Sequence, residues 1–580
     1  MVAGGMRILF STSSYGFLRN FQSSIRRLAE QGHDIHLLAE RSDTVDGQKM
    51  ADALVAEYPD RITASFLRSS RHRLWYTLGT GLRASLDYWR YLDPRWDASP
   101  KLRARAASMA PGFASRLPQW PLVGTRASLT LLSRVFHAVD RRLPPPAEVA
   151  EVFERERPDL LLLTPLLYFR SHQVDHVRYA RARGTKSIVG IGSWDHLTTK
   201  GLIHEVPDRV LVWNEAQKQE AIDLHAVPGE RVIVTGAQAY DHWFDMKPSV
   251  DRQAFCARVG LDPARPILLY LCSSSFIAPY EAGFVRSWMA AIRSSADPWV
   301  RSVGLLVRPH PQNAEQWQTV DLSAEFENVS VWPKAGMNPI GGAARHEYFD
   351  SMYHAEAVVG VNTSGMIESG IIGRPVYAVQ VAEFASTQDG TLHFQHLKNV
   401  DGGLLHLAST LDEHVTQLAR LPVDGEAGRE QVRRFIKGFV RPHGLDVAAT
   451  PRVVEAVEAF VAGPALEPLA APAGARLMRI LLAPVAVVLT LTMLDPVKRN
   501  SVILHWLRPI RLVARAIYSR LVYGLRFIRR LPRLGLRFVA GALRLLVVRP
   551  VRWTRHRAKT ALHAFLVWRK GETSGTGETL

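Results

Sequence analysis

The sequence predicts an α/β protein made of two tandem units of parallel sheet and helix. Three observations carry that prediction. Short apolar runs alternate with helix-period segments from residue 6 to about residue 462. The runs are continuous rather than alternating, as expected of strands covered by helices on both faces. Many of them end in Ser, Thr, Asn, Asp, His or Gly, where a strand hands over to a loop able to hold a ligand.

The first unit opens with MRILFST, an apolar run without helical period, and the loop SSYGFLRN. FQSSIRRLAEQG follows, with Phe21, Ile25, Leu28 and Ala29 at helical spacing and a stop at Gly32. HDIHLLAE is the next strand, which completes a βαβ opening. Residues 66–147 depart from this rhythm. They are rich in Arg, Trp and Tyr and end at Pro144-Pro145-Pro146, and read as a helical insertion with a basic, aromatic face. Strands resume at DLLLLTPLL (159–167), TKSIVGIGSW (185–194), RVLVWN (209–214) and RVIVTGA (231–237). Residues 1–247 therefore form one Rossmann-like domain. A second begins near 248, with strands PILLYLCSS (266–274), VGLLVRPH (303–310), VSVW (329–332), AVVGVN (357–362) and PVYAV (375–379), and helices up to 462. GPALEPLAAPAGA (463–475) has the composition of a linker, and 476–580 is a separate tail.

Composition sets limits. A chain of 580 residues corresponds to two to four domains. Its 47% apolar and 22% charged residues exclude a disordered chain. Two cysteines, Cys256 and Cys272, supply neither a disulfide framework nor a thiolate metal site, and a reducing compartment is expected. The N-terminus lacks the pattern of a signal peptide, and Met6 is an alternative start. The net charge of +18 is concentrated: residues 476–570 hold 21 Lys and Arg with one acid, so the body before them is near neutral.

The stretch VVGVNTSGMIESGIIGRPV (358–376) holds a polar cluster that a plain strand-helix-strand unit does not need. Asn362, Thr363 and Ser364 stand where a strand turns into a helix, whose N-terminus favours an anion. Gly365 admits a close approach, and Glu368 lies one turn on along the same face. A diphosphate at the helix end with ribose hydroxyls at Glu368 explains the cluster. An ordinary capped helix with a solvated Glu is the plain alternative.

This segment resembles the C-terminal nucleotide-binding unit of GT-B glycosyltransferases and is similar to the non-hydrolysing UDP-GlcNAc 2-epimerases. LLVRPHPQN (305–313) resembles a signature of capsule glycosyltransferases and CDP-glycerol glycerophosphotransferases. The N-terminal βαβ resembles a GT-B N-terminus. GSWDHLTTKG, PDRVLVWNEAQKQEA and VIVTGAQAYDHWF look like a motif set of bacterial surface-carbohydrate proteins. The resemblance implies a GT-B fold, two Rossmann-like domains facing across a cleft, with the acceptor in the first and the nucleotide donor in the second.

Site residues follow from both lines. Arg308 and His310 end a strand and are held stiffly by Pro309 and Pro311. Arg308 is expected to clamp a diphosphate, and His310 to bind phosphate or protonate a leaving group. Ser273, Ser274 and Ser275 offer a phosphate nest, or a plain polar turn. In the first domain Asp195, slightly ahead of His196, is the expected base for an acceptor hydroxyl, and Trp194 a platform for a sugar ring. Thr198 and Thr199 stand on the same strand-end loop. Ser13, Ser14, Tyr15 and Gly16 shape the acceptor side. Arg19 and Asn20 are weaker candidates, as are Asn214, Glu215, Gly236, Gln238 and Asp241. Neither a metal nor a cofactor is expected, because no convincing Asp-X-Asp pair or zinc spacing occurs and GT-B enzymes usually work without a divalent ion.

In the tail, ILLAPVAVVLTLTML (480–494) is broken by Pro484 and shorter than the roughly 20 residues of a span. Beyond it, Arg508, Arg511, Arg515, Arg526, Arg529, Arg530, Arg533 and Arg537 recur among Leu, Ile, Phe and Trp. This reads as amphipathic helices on an anionic bilayer rather than a nucleic-acid arm, whose composition is mostly polar. Arg68, Arg71, Arg73, Trp75, Tyr76, Trp89 and Tyr91 of the insertion are expected to extend that surface. The expectation is a glycosyltransferase on the inner face of the cell membrane, taking a nucleotide-sugar donor and a lipid-linked or glycan acceptor. A CDP-glycerol-type polyol-phosphate transferase, a 2-epimerase and a non-catalytic scaffold of a polysaccharide assembly complex are the alternatives.

Overall fold

The computed structural model describes residues 5–42, 46–67, 74–121 and 123–493. The tail arginines from Arg508 onward, and Arg68, Arg71 and Arg73, lie outside the described residues.

Among the described residues, thirteen strands form two all-parallel sheets. The first holds β1 (Arg7–Thr12), β2 (Asp34–Ala39), β3 (Ile62–Phe66), β4 (Leu160–Thr164), β5 (Lys186–Gly190), β6 (Arg209–Val212) and β7 (Val232–Val234), in the order β3-β2-β1-β4-β5-β6-β7. The second holds β8 (Ile267–Leu271), β9 (Gly304–Arg308), β10 (Val329–Val331), β11 (Ala357–Gly360), β12 (Val376–Val379) and β13 (Leu405–Ala408), in the order β10-β9-β8-β11-β12-β13. Every residue of β4, β5, β8 and β9 is buried, and β8 and the first four residues of β4 accordingly read as unbroken apolar runs. Both sheets are doubly wound, and their carboxyl ends face each other. The GT-B architecture expected of the sequence is therefore present.

The sequence did not mark β3 and β13. Each is a sheet edge, and each is only partly buried, so neither carries a continuous apolar run.

Two features tie the halves together. The helix Ala449–Ala462, expected in the second domain, packs on the first: Val453, Val454 and Val457 are buried with Ile8, Ile25, Leu28 and Ile35. Burying each such side chain contributes about 1.5–3 kcal/mol. At the crossing, Asp241 accepts from Arg441 Nη2 (3.1 Å), Ala449 N (3.0 Å) and Thr450 N (2.6 Å). Gly236, with φ +89°, lies beneath, and a Cβ there would stand 2.8 Å from Ala449 Cβ. Asn214 caps the helix Glu215–His225 and donates to Phe439 O (2.7 Å). Asp241, Gly236 and Asn214 thus join the domains. Glu215 is exposed and pairs with Lys218.

In the insertion the aromatic residues Trp89 and Tyr91 are interior, while Arg95, Arg116, Arg126, Arg134 and Arg141 are exposed. Tyr91 is fully buried and Trp89 nearly so. Their polar atoms donate to Lys200 O (2.7 Å) and Ala114 O (2.9 Å). Tyr76 stacks on His172, centroids 4.5 Å apart. Arg83 is buried against Asp175 and Asp140, and Arg90 donates to Gly201 O (2.8 Å). An arginine count does not show whether the partners are water or the protein's own carboxylates. Residues 463–475, expected as a linker, run along the first domain: Lys186 Nζ donates to Gly463 O (2.7 Å) and Leu469 N to Arg181 O (3.0 Å). The helix Ala475–Met493 then packs Ala486, Leu482 and Leu489 on Leu78, Leu82 and Leu143. Among the described residues no helix is long and apolar enough to cross a membrane.

Candidate functional site

Strand order reverses between β8 and β11 in the second sheet and between β1 and β4 in the first. Ligands of such sheets bind beyond the carboxyl ends at these points.

In the second domain the loop after β8 holds Ser273, fully buried. Its N–H donates to Glu281 Oε2 (2.7 Å), its carbonyl accepts from Asn313 Nδ2 (3.2 Å), and its hydroxyl receives Asn362 N (3.4 Å). Ser273 therefore couples the two loops rather than facing a ligand. Burial pushes the Glu281 carboxyl up to about 8. Ser274 is half-buried and Ser275 exposed; their hydroxyls have no side-chain partner among the described residues. Asn362 is also engaged, donating to Thr387 O (2.5 Å) and His393 Nε2 (3.3 Å). The helix Gly365–Ile371 starts without a side-chain cap. Ser364 is itself helical and exposed, and Thr363 Oγ1 accepts only a long bond from Gly365 N (3.4 Å).

Glu368 stands one turn into that helix. Tyr348 donates its hydroxyl to Glu368 Oε2 (2.9 Å). Burial raises the Glu368 carboxyl to about 7, against the hydrogen bond from Tyr348 and the nearby charges of Arg19 and Arg345. Gly365 is required here for packing: a Cβ would lie 2.5 Å from Tyr348 Oη. Arg308, expected as a diphosphate clamp, is turned inward. Its Nη1 donates to Glu347 Oε1 (3.1 Å) and Ser351 Oγ (2.9 Å), and its guanidinium lies 5.0 Å from the Tyr348 ring centroid. Arg308 thus lies against the Tyr348 ring whose hydroxyl bonds Glu368. His310 remains half-exposed. Its Nδ1 accepts from Gln312 N (3.1 Å), which leaves the proton of the neutral ring on Nε2. Burial and the Arg19 charge lower it to about 4, so it is a neutral donor at pH 7.

In the first domain Tyr15 is structural: its hydroxyl donates to Ser65 O (2.7 Å) and Leu37 O (3.2 Å). Ser13 and Ser14 are buried and Gly16 half-buried. The Ser13 hydroxyl and that of Thr164, at the end of β4, are buried without a partner among the described residues, on either side of the reversal point. Arg19 is exposed and makes no ion pair among the described residues. Its charge reaches His196 and Tyr240 of its own domain and His310 and Glu368 of the other. Asn20 O accepts from Gln238 Nε2 (3.2 Å).

Asp195 is held by both oxygens: Oδ1 accepts from Ser193 Oγ (2.5 Å) and Oδ2 from Thr199 Oγ1 (2.8 Å). Thr198 Oγ1 donates to the Asp195 carbonyl (3.0 Å). Lys200, His196 and His393 hold its carboxyl well below the usual range, against its burial. His196 is buried, its Nδ1 is unpartnered among the described residues, and burial lowers it to about 4 although Asp195 opposes the shift. Trp194, expected as a sugar platform, is buried in a core cluster shared by the two domains, edge-on to His393 at 4.8 Å.

Tyr348, Tyr240, His393 and Thr164 were not singled out from the sequence. Thr164 had a signal, as the first polar residue after LLLL. The others come from helices or loops brought in by tertiary packing. Among the described residues no three or more His, Cys, Asp or Glu side chains gather at metal-binding distance.

No family model matches the chain, and no curated protein does. Solved structures do. A glycosyltransferase from Rickettsia africae covers 79% of this chain and 100% of its own at 9% identity and a TM-score of 0.46. The UDP-GlcNAc 2-epimerase of Neisseria meningitidis, bound to UDP-GlcNAc, covers 78% and 100% at 11% identity and a TM-score of 0.44. A variant of the wall teichoic acid polymerase TagF covers 79% and 89% at 10% identity and a TM-score of 0.37. These values add nothing to what the strand order of the two sheets establishes.

Proposed function

We propose that this chain is a nucleotide-sugar-dependent glycosyltransferase that works at an anionic membrane surface on a lipid-linked or surface glycan acceptor. The observation that carries this reading is that the charge of exposed Arg19 in the first domain acts on both His310 and Glu368 of the second, each at a strand or helix end beyond the second sheet. A cation and a neutral N–H donor suit a donor diphosphate, and a carboxylate a turn away suits ribose hydroxyls.

In this reading His196, neutral at pH 7, takes the proton of the acceptor hydroxyl. The oxygen attacks the anomeric carbon, the bond from that carbon to the diphosphate oxygen breaks, and the nucleoside diphosphate leaves. Arg19 and the Nε2–H of His310 meet its growing charge. Asp195 orients the loop and favours the protonated His196. Ser274 and Ser275 supply hydroxyls on the donor side, and Ser13 and Thr164 on the acceptor side. No step requires a metal ion.

The membrane part of the reading rests on the helix Ala475–Met493. Leu477, Ile480, Leu481, Val485 and Val488 are exposed on its outer side, and the chain continues from it into the cationic tail. An apolar face followed by many arginines suits a bilayer bearing anionic lipids.

The test is a thermal-shift panel on the full-length protein with UDP, GDP, CDP, CMP, ADP and TDP, with and without Mg²⁺. Saturation at 100 times the dissociation constant stabilises the fold by about 2.7 kcal/mol. One responding nucleotide, with the response lost in Arg19→Gln and Glu368→Gln, supports the site. A flat panel from folded protein refutes it and favours the scaffold. Transfer of phosphorus to the product would instead mark polyol-phosphate transfer.

A further inference from the structure

Beneath the amino ends of β8, β11 and β12, at the sheet edge opposite the cleft, lies a cavity of about 430 Å³. Small-molecule sites run from about 300 to 1,000 Å³. Three arginines line it, Arg252, Arg374 and Arg429, with one carboxylate, Glu356. None of the three makes an ion pair with a carboxylate among the described residues. Arg252 is spent on carbonyls: Nε donates to Pro263 O (3.1 Å), Nη1 to His354 O (2.8 Å) and Nη2 to Arg265 O (2.6 Å). These bonds fix the guanidinium but leave its charge uncancelled. Arg374 donates Nη2 to Tyr353 O and lies 5.3 Å from that ring, while its Nε is buried without a partner among the described residues. Arg429 is exposed and has no polar partner among the described residues.

The three most deeply buried arginines are neutralised by carboxylates, whereas half-buried Arg90 and Arg105 donate only to backbone carbonyls. Arg83 faces Asp140 and Asp175, Arg308 faces Glu347, and Arg441 faces Asp241. The cavity instead gathers three cations against a single carboxylate that pairs with none of them. Desolvating like charges side by side is unfavourable unless an anion joins them. Burial lowers the Arg374 guanidinium, and the charges of Arg429 and Arg252 lower it further against Glu356. The remaining walls include Trp299 and four prolines. Flat apolar surface beside cations suits a ring with one weakly polar face and an acidic substituent.

We propose that this cavity is a second ligand site, for a sugar carrying a phosphate or a carboxylate, with the acid group between Arg374 and Arg429 and the ring against Trp299. The site does not depend on the transferase reading. It lies across the sheet from Glu368 and shares no residue with the cleft.

Calorimetric titration of the full-length protein tests it, with glucose 6-phosphate, glucuronate, inorganic phosphate and glucose as probes. At least one acidic sugar binds at a single site, and comparison of the two names the acid. Inorganic phosphate binds about tenfold more weakly or worse, and glucose gives no signal. Arg429→Gln and Arg374→Gln each weaken binding about tenfold or more, as expected for loss of a charge-assisted hydrogen bond. Arg19→Gln and Glu368→Gln leave it unchanged, which separates this site from the cleft. Arg429→Gln changes an exposed side chain that holds nothing in place, so the variant folds. Absence of acidic-sugar binding, equal binding of glucose or of inorganic phosphate, or wild-type affinity in Arg429→Gln would each overturn the proposal.

Discussion

Gly365→Ala probes the contact that sets Glu368. The added Cβ would stand 2.5 Å from Tyr348 Oη and 2.8 Å from Leu271 Cδ1. Relaxed contacts need about 3.5 Å, so the Tyr348 hydroxyl must retreat by roughly 1 Å. Its hydrogen bond to Glu368, now 2.9 Å, then passes beyond the range of a hydrogen bond. Overpacking costs about 1–3 kcal/mol, and an abandoned carboxyl about 1–3 kcal/mol more. Better helix propensity returns at most about 1 kcal/mol. A net loss of about 1–6 kcal/mol is expected, together with weakened nucleotide binding. Urea unfolding and a nucleotide titration of the full-length protein measure both. Gly283→Ala is the matched control: it lies inside the helix Glu281–Arg293, and a Cβ there meets nothing within 4 Å. That variant should be stabler by up to about 1 kcal/mol. Wild-type stability and affinity in Gly365→Ala would refute the packing account of Glu368.

Four further outcomes follow from the same geometry. Glu281, raised to about 8 when folded, keeps a proton that the unfolded chain releases at ordinary carboxylate pH. Stability therefore falls as pH rises from about 4.5 to 8, and Glu281→Gln removes up to about 1.4 kcal/mol per pH unit of that slope, read from urea midpoints across the range. Arg19→Gln leaves stability within about 0.5 kcal/mol of wild type but weakens nucleoside diphosphate binding about tenfold and flattens its salt dependence, measured by titration at two ionic strengths. Trp194→Ala empties a buried site between the domains, costs about 3–5 kcal/mol and splits the calorimetric transition in two. Ile480→Glu with Leu481→Glu leaves the fold intact, since both side chains are exposed, and reduces cosedimentation with vesicles containing anionic lipid; unchanged cosedimentation would remove this helix face from the membrane contact.

What the sequence disclosed was local. Val358 to Glu368 could be read in register, because strand, turn and first helical turn are consecutive in the chain. The same holds for the outward-facing His310. Orientation across space was not legible. Arg308 and His310 are two residues apart, yet one serves Tyr348 and the other faces the cleft, because only the docked helix Gly342–Tyr353 supplies Glu347 and Ser351. Trp194 looked like an exposed platform until the second domain covered it. The bonds that hold Asp195, from Ser193 and Thr199, were likewise not readable from the sequence. Arg19 was among the weaker candidates the sequence offered. Its charge reaches titratable groups of both domains, and no periodicity records that.

The return of the helix Ala449–Ala462 to the first sheet bears on how the chain is made. The strands of the first domain are complete at Val234, but Val453, Val454 and Val457 emerge about 220 residues later. At ordinary rates of synthesis the gap is roughly 10–45 s. Throughout it, the apolar groove over Ile25 and Leu28 has no lid, on a nascent chain that is already long. The second domain, whose core needs nothing upstream of Trp194, has its parts in hand first. The amino-terminal half is thus the last to become finished, and a chain cut short at residue 448 loses the integrity of its beginning rather than of its end.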